Sequence, residues 1–500
     1  MPSSIPTVCA FTSNALTLSE RFAVFRQYRH LFSSLDLDTA AGQAWVRKLK
    51  AMPPFDEYPH LWERFLGANG LTEEGLVGAL SAPPEFLTEH AGDACRWAMD
   101  LEEALEDAAK GEVPAFAWPA SLGPQAAILA FSRPLVAWAL KRIQRGLAVI
   151  ESESGPTLVP SESVASLFLR PLVGAAYAIT HKTLVLELNI SRLREELAGD
   201  TPEERFQAFV KRLEDVSNAR ALYEEYVVLS RMVMESFRMI ADFCLEFLRH
   251  LAQDRRIVEE VFFGGQDLGN LVDVAMGGDS HRGGRRVLIL EFGGGRKLLY
   301  KPHSLRLDEH FQGLLKWLND RGYQPRFRTM ACLDRGDHGW TEFIPTADCS
   351  SEEELRRFYL RQGGLLAILY AMLATDFHHE NLIASGEHPV LIDLESLFHP
   401  ALRSPGDNQL DEAVRSALDY SVLRTALLPS RQLVGKDDVP FDIGGLSDVE
   451  GQESPYASPF VNMSVADEAR IDRTRRRMRG SQNVPTLTGR KPDPAAYTEE

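Results

Sequence analysis

The sequence has few cysteines, no excess of basic residues and no long apolar run. Each of these three features argues against a class of protein. Its five cysteines are scattered over 500 residues without a CxxC pair, which argues against a disulfide framework or a cysteine-based zinc site and fits a reducing cytoplasm. A net charge of −17 and a pI of about 5.3 argue against non-specific nucleic-acid binding. No signal peptide is evident, and Arg170 interrupts the apolar stretch 164–180, so we expect no membrane span.

The composition is that of a large globular protein with several domains. At 44% hydrophobic and 25% charged residues the chain can bury large cores, and 500 residues usually form two or more domains. Residues 1–264 carry apolar side chains at helical spacing, with a polar, proline-containing interruption at 151–160. Thr201, Pro202 and Glu204 form a helix start signal, with Thr201 as the N-cap, proline at the first helical position and glutamate three residues after the cap. We therefore predict a helical N-terminal region, 1–160, and a second helical region, 161–264, packed on the core.

The periodicity changes near residue 265, where short strands replace helices. Strands are predicted at 271–276, 286–292 and 297–301, with a glycine-rich loop at 277–284 between the first two and Lys301 at the end of the third. Gly283 and Gly284 would let backbone N–H groups approach phosphate oxygens, and Lys301 would reach the same phosphates. We expect 265–345 to form a kinase-like small lobe that binds ATP.

Two residues of the glycine-rich loop do not suit a simple phosphate cradle. Asp279 would repel ATP unless it faces elsewhere, and His281 is an unusual neighbour for it. We expect this pair to have an additional chemical role.

The segment that follows continues the order of a kinase. A helix is predicted at 305–321, strands at 326–333 and 339–344, and a helix from Ser351 to 374. Further along, a helix is predicted at 407–420 and a strand at 421–428. Glu342 and the residues after it stand where a hinge would contact adenine. Glu309 could pair with Lys301, although a solvated position on the helix surface is the commoner outcome.

The stretch 375–400 carries the residues with the clearest chemistry. Asp376 and Asn381 are five positions apart, with His378 between them. Asp393 lies in a predicted strand, 390–394, which a hairpin turn at 386–389 would fold back beside Asn381. In kinases a loop Asp orients the attacking hydroxyl, while a loop Asn and a second Asp hold Mg²⁺. We predict these roles for Asp376, Asn381 and Asp393. A simple helix cap and an edge strand are the alternative for any one of them, but a poor explanation for the set.

The order and spacing of several motifs resemble those of class II (LanM-type) lanthipeptide synthetases, in their dehydratase part. The resemblance covers the chain from about residue 160 to its end, and its motifs are LVLELNISRLREELAGDTPEERFQAF, YEEYVVLSRM, GDSHRGGRRVLILEFGGGRKLLYKPHSL, WTEFIP and TDFHHENLIASGEHPVLIDLESLF. It implies an α+β fold, with a kinase-like (lipid-kinase-like) two-lobed core and a large, mostly helical N-terminal region.

The resemblance also implies an activity. Family members phosphorylate Ser and Thr of a precursor peptide with ATP and Mg²⁺ and then eliminate phosphate, leaving dehydroalanine or dehydrobutyrine. The implied catalytic residues are Lys301, Asp376, His378, Asp279 and His281; the implied ATP and metal ligands are Lys301, Gly283, Gly284, Glu342, Asn381 and Asp393, with Glu395 in support. The expected partners are the precursor peptide and a membrane-associated exporter.

Two departures from the family pattern stand out. His303 follows the Lys-Pro pair where the family usually has Arg. The large lobe, predicted at 346–500, ends before the family's elimination residues and before its zinc-binding cyclase domain, so we expect the chain to be a fragment of a longer protein.

Two other functions remain open at the level of sequence. A lipid or small-molecule kinase without elimination would share the Asp376 loop, but it would have no evident use for Asp279 and His281. A pseudokinase-like module that only binds peptide would commonly lack one of Lys301, Asp376, Asn381 and Asp393, all of which are present.

Overall fold

A computed structural model of the protein describes residues 12–113, 116–119, 124–278, 280, 282–400, 417, 420–434, 439–462 and 465–499. The chain divides into two compact units. The first comprises Met1–Gly155, Ser161–Glu246 and Met463–Arg470, and the second Pro156–Pro160, Phe247–Asn462 and Ile471–Glu500. The sequence-based domain boundaries at 160, 264 and 345 stay predictions.

Helices form the first unit. They are α1 (Leu18–Gln27), α2 (Arg29–Phe32), α3 (Thr39–Lys50), α4 (His60–Ala68), α5 (Glu73–Ser81), α6 (Pro84–His90), α7 (Arg96–Ala109), α8 (Arg133–Ser154), α9 (Val164–Leu193), α10 (Pro202–Glu214), α11 (Val216–Glu225) and the first part of α12 (Val227–Phe263). The predicted start signal of α10 is confirmed. Thr201 accepts a hydrogen bond from Glu204 N at 3.2 Å, and the Glu204 carboxylate accepts one from Thr201 N at 3.1 Å.

Helix α9 is long and apolar enough to cross a membrane, and among the described residues it alone passes that test. The helix continues through Arg170 and Pro171, so the charged residue that interrupts the apolar run in the sequence does not end the helix. Its side chains at Leu167, Leu172 and Val173 are buried in the unit.

An antiparallel sheet opens the second unit. Its strands are β1 (Leu271–Gly277), β2 (Val287–Phe292), β3 (Arg296–Lys301), β4 (Cys332–Asp334) and β5 (Gly339–Glu342), in the order β1-β2-β3-β5-β4. The three strands predicted before residue 302 are confirmed within one residue at their ends. Pairing of Leu298 with Glu342 and of Lys301 with Gly339 places β3 beside β5 in the sheet.

Two helices and a hairpin follow the sheet strands. The helices are α13 (Arg306–Asp320) and α14 (Glu352–Ala371), and the hairpin joins β6 (Leu382–Ser385) to β7 (His388–Leu391). Apolar side chains from all three elements, including Phe311, Leu365, Leu369, Leu382 and Leu391, share one core. The hairpin is therefore fixed to the helices that flank it in the chain. The remaining ribbons are β8 (Gln432–Val434) with β9 (Val439–Phe441), and β10 (Ser458–Asn462) with β11 (Arg470–Thr474).

Several sequence expectations about this unit are wrong in detail. The strand predicted at 326–333 begins only at Cys332, because Asn319 binds both Phe327 N and Phe327 O at 2.8 Å and so occupies backbone groups that a sheet neighbour would need. Residues 422–425 form a 3₁₀ turn instead of a strand. Most of the helix predicted at 407–420 lies outside the described residues. The kinase-like two-lobed fold itself remains a prediction.

Candidate functional site

Lys301 links the sheet to the hairpin. It ends β3 with only 6% of its surface exposed, and its Nζ donates to the carbonyl oxygen of Ile392 at 2.8 Å and to Asp308 Oδ1 at 3.3 Å. Because Asp393 directly follows Ile392, backbone dimensions place the Asp393 carboxylate within about 10 Å of this ammonium group. The structure thus brings together two of the predicted ATP-binding residues that are far apart in sequence.

Asp308, in the first turn of α13, is the carboxylate that pairs with Lys301. It is 4% exposed and lies on the buried face of the helix with Phe311, Leu315 and Asn319. Glu309, which sequence considerations offered as the partner, instead accepts a hydrogen bond from Asp334 N at 2.9 Å. The spacing 308, 311, 315 is the signal that could have identified Asp308, since those positions share one helical face.

The hairpin positions Asn381 and Asp393 at neighbouring chain ends. Leu382 pairs with Leu391 across its two strands, and Ile392 N donates to Asn381 O at 3.1 Å. Asn381 thus stands one residue before β6, and Asp393 two residues after β7. The prediction that the hairpin folds Asp393 back beside Asn381 is confirmed, although Asp393 follows the strand instead of lying within it.

Asp376 occupies an exposed, constrained position in the loop that follows α14. Its φ of 64° lies in the left-handed region, which Asp tolerates better than most residues, and 68% of its side chain is exposed. His378 Nε2 lies 3.8 Å from Asp376 Oδ1. Glu380 N donates to His378 Nδ1 at 3.3 Å, so Nδ1 is engaged with the backbone and Nε2 is the ring nitrogen that faces Asp376.

The donor set at Asn381 and Asp393 fits a divalent metal. Asn381 Nδ2 donates to Asp376 O at 2.8 Å, which fixes the amide orientation and leaves Oδ1 as the oxygen for a ligand. Asp393 Oδ1 receives a hydrogen bond from Glu395 N at 3.3 Å, a long contact that leaves the carboxylate most of its capacity to coordinate. Oxygen donors of this kind, one of them charged, suit Mg²⁺.

Distant backbone segments anchor the Asp376 loop. Phe377 N donates to Thr425 O at 2.9 Å, and His379 N donates to Ile443 O at 3.0 Å. His379 is buried, and burial lowers the pKa of its imidazole, so it is neutral and structural. These anchors hold both ends of the stretch that carries Asp376 and His378. They come from later in the chain, and no local pattern in the sequence predicts them.

Asp376 faces a shallow groove of about 440 Å³ that is lined also by Thr375, Glu395, Ser396 and His399. Ser396 O accepts from Thr375 N at 3.2 Å, which joins the two sides of the groove. Glu395 supports the site through its backbone N–H to Asp393, while its side chain is exposed.

The other predicted residues contribute less to the observed geometry. Gly283 and Gly284 have φ values of 72° and 76°, which explains why glycine stands there. Asp279 and His281 lie outside the described residues. Glu342 N donates to Ala331 O at 3.1 Å, and its carboxylate binds Arg328 at 3.0 Å, so its backbone N–H is already engaged and cannot serve adenine without losing that bond.

Comparisons with known proteins match the half of the chain that contains this site. A family model described as "Domain of unknown function (DUF4135)" matches residues 226–500. The lacticin 481/lactococcin biosynthesis protein LcnDR2 of Lactococcus lactis subsp. lactis is 30% identical over 267 residues, which is 50% of this chain and 28% of that protein. The matched part therefore spans little more than a quarter of that relative.

Proposed function

The chain belongs to the DUF4135 family, and we propose that it acts as the dehydratase part of a LanM-type lanthipeptide synthetase. The resemblance to such synthetases is confirmed by the similarity to LcnDR2. The proposed reaction is phosphorylation of Ser and Thr in a precursor peptide with ATP, followed by elimination of phosphate. The observation that carries the proposal is the contact of Lys301 with Ile392, beside Asp393.

Lys301 would bind the phosphates of ATP. Its ammonium group is buried and oriented by Asp308, so its charge acts in a site that is shielded from water and cannot be screened as a surface lysine is. During phosphate transfer and later during phosphate departure, negative charge develops on oxygens near this group. Lys301 would stabilise that charge in both steps.

Asp376 would orient the Ser or Thr hydroxyl of the peptide and accept its proton as the bond to phosphorus forms. Its exposure lets a peptide hydroxyl reach it, and its backbone conformation is held by the hydrogen bond from Asn381. His378, whose Nε2 lies 3.8 Å from Asp376 Oδ1, would keep the carboxylate in place.

Asn381 Oδ1 and the Asp393 carboxylate would hold Mg²⁺, which when bound neutralises charge on the phosphates. These residues lie at adjoining ends of one hairpin, so a single rigid element positions both ligands. In the elimination step a base must remove the α-proton of the phosphorylated residue while phosphate leaves. Asp279 and His281 are the proposed contributors from the glycine-rich loop.

The experiment is mass spectrometry of a candidate precursor peptide after incubation with ATP, Mg²⁺ and the full-length protein, including any segment beyond these 500 residues. The protein should yield peptide heavier by phosphate and then peptide lighter by water. Asp376→Asn should yield neither, with a rate loss of about a thousandfold, because a positioned base contributes rate factors of that order.

Glu380→Gln is the matched control, since Glu380 is an exposed carboxylate of the same loop, and it should retain activity. Full dehydration by Asp376→Asn would contradict the proposal. Phosphopeptide that is never dehydrated would instead indicate a kinase without elimination.

A further inference from the structure

A second cavity is lined in part by Leu427 and Leu446, which belong to the segments that anchor the Asp376 loop. It has a volume of about 930 Å³, within the range of small-ligand and side-chain pockets. One wall is a single face of α14, formed by Tyr359, Gln362, Gly363 and Leu366, whose spacing brings them onto one side of the helix. We call this cavity the Gln362 pocket.

Two polar side chains of that wall are buried without a partner among the described residues. Gln362 is 2% exposed, and neither its Nε2 nor its Oε1 makes a hydrogen bond. Tyr359 is 5% exposed, and its hydroxyl is likewise unpartnered. Burial raises the pKa of Tyr359, so the hydroxyl keeps its proton and remains a donor. Buried polar groups are normally satisfied, so an unsatisfied amide and hydroxyl in one cavity indicate a ligand that supplies the missing bonds.

The remaining lining defines the chemistry of that ligand. Leu423, Leu427, Leu428, Phe441 and Leu446 make most of the opposite wall apolar. A primary amide offers one acceptor and two donors, which complements the N–H and C=O of a peptide group. A lipid acyl chain would fill the apolar space but would leave Gln362 unsatisfied.

The charges at the pocket disfavour a phosphate ligand. Three carboxylates line it, Asp442, Asp448 and Asp493, against the single guanidinium of Arg431 in the described lining. Asp442 is buried and accepts hydrogen bonds from Gly444 N at 2.9 Å and Ser447 Oγ at 2.7 Å. The net negative charge of the lining would repel a nucleotide or a phospholipid headgroup, whereas it would not repel a neutral peptide.

The opposite wall is directly bonded to the Asp376 loop. Leu427 and Leu446, which line the pocket, are joined by a backbone hydrogen bond of 2.9 Å, and the residues just before them anchor Phe377 and His379. At Gly445 an added Cβ would lie 2.5 Å from Phe377 O, so this wall and the loop are in close contact. A peptide held in the pocket would thus lie beside the loop that carries Asp376.

We propose that the Gln362 pocket binds the precursor peptide, taking an apolar side chain against α14 while Gln362 and Tyr359 hydrogen-bond the adjoining peptide group. The proposal rests on the proposed function for the identity of the peptide, but the binding requires neither ATP nor phosphate transfer. Gln362 and Tyr359 are accordingly residues of peptide recognition and not of catalysis.

The test uses a phage-displayed library of random linear peptides selected on the full chain. Enriched peptides, labelled with fluorescein, are then titrated with the protein and its variants by fluorescence polarisation. Enriched peptides should share an apolar residue, and Gln362→Leu should weaken their binding by about tenfold, the loss expected for hydrogen bonds from one side chain. Leu366→Trp, which fills the pocket, should weaken binding at least as much.

The matched control is Gln253→Leu, the same substitution at an exposed glutamine of α12 in the same unit, which should leave peptide affinity unchanged. Thermal melts establish that the variants fold. Gln362→Leu should not lower the melting temperature, because it removes polar atoms that have no protein partner.

Equal binding of the enriched peptides by Gln362→Leu and the unaltered protein would overturn the proposal, as would the absence of any enriched peptide. The first result would mean that water alone satisfies Gln362. If enriched peptides bind through the pocket but the precursor peptide is never phosphorylated, the proposed function fails and the pocket assignment stands. If the precursor peptide is phosphorylated equally well by Gln362→Leu and Leu366→Trp, the pocket assignment fails and the proposed function stands.

Discussion

Lys301 Nζ donates a 2.8 Å hydrogen bond to the carbonyl oxygen of Ile392, a residue 91 positions further along the chain. This bond joins the last position of β3 to the residue before Asp393. The bond holds Lys301, the proposed phosphate-binding cation, close to Asp393, the proposed metal ligand. The carbonyl oxygen accepts this bond without placing a further negative charge beside the ammonium group.

Replacing Lys301 by Met should abolish activity and also lower stability. The variant loses the cation for the phosphates, which we expect to reduce phosphorylation by at least about a hundredfold. It also leaves Asp308 buried and unpaired, which should cost about 3 kcal/mol of unfolding free energy. Urea denaturation and the phosphorylation assay measure the two effects separately.

The double variant Lys301→Met with Asp308→Leu separates the loss of activity from the loss of stability. It removes both charges, so it should recover most of the lost stability while remaining inactive. Recovery of activity in the double variant would show that Lys301 serves only the fold.

Asp308 and Glu309 are adjacent acidic residues that should behave differently. Asp308→Asn removes the carboxylate that orients Lys301, so kcat should fall by about tenfold with little change in the KM for peptide. Glu309→Gln weakens the hydrogen bond from Asp334 N and leaves Lys301 with its partner, so it should keep kcat and lose a small amount of stability. Steady-state kinetics of both variants, with circular dichroism to check folding, compare them. Equal effects on kcat would contradict the pairing.

The turn of the hairpin should respond to pH through Glu387. Burial alone would raise the pKa of Glu387, but hydrogen bonds from Arg357 and Arg361 outweigh it and lower the pKa below its usual range. A lowered folded-state pKa means that this contribution to stability is complete above the unfolded value, about 4.3, and is lost as the pH falls through the folded value.

Glu387→Gln should therefore destabilise the protein by about 2 kcal/mol near neutral pH. The difference from the unaltered protein should shrink below about pH 4.5. Glu353→Gln is a suitable control, because Glu353 is exposed and contacts Arg357 only at 3.6 Å. Denaturation curves at several pH values give the comparison, and a difference that grows on acidification would refute the assignment.

Local signals in the sequence suffice for much of the fold that surrounds the site. Thr201 and Glu204 form the expected capping box, and Ser351 caps α14 by accepting from Glu354 N at 3.2 Å. The turn chemistry before Pro389 correctly predicts the hairpin. These elements depend on neighbours within a few positions, which a sequence pattern records directly.

Features that depend on distant partners were not predictable in this way. Lys301 pairs with Asp308 instead of Glu309 because the face of α13 that carries Asp308 is turned toward the core. Which face is buried depends on how the helix packs in the fold. The strand expected at 326–333 is shortened because Asn319 takes the backbone of Phe327. The Gln362 pocket requires segments near residues 360, 427, 446 and 494 to meet, and none of them carries a motif.

The central claim is that Lys301, Asn381 and Asp393 form one site for ATP and its metal. Crystals grown with Mn²⁺ in place of Mg²⁺ and a non-hydrolysable ATP analogue test it most directly, because anomalous scattering locates the metal. We expect a metal peak at about 2.1 Å from Asn381 Oδ1 and an Asp393 oxygen, with a phosphate in contact with Lys301 Nζ. A metal and nucleotide bound elsewhere, away from these three side chains, would contradict the account.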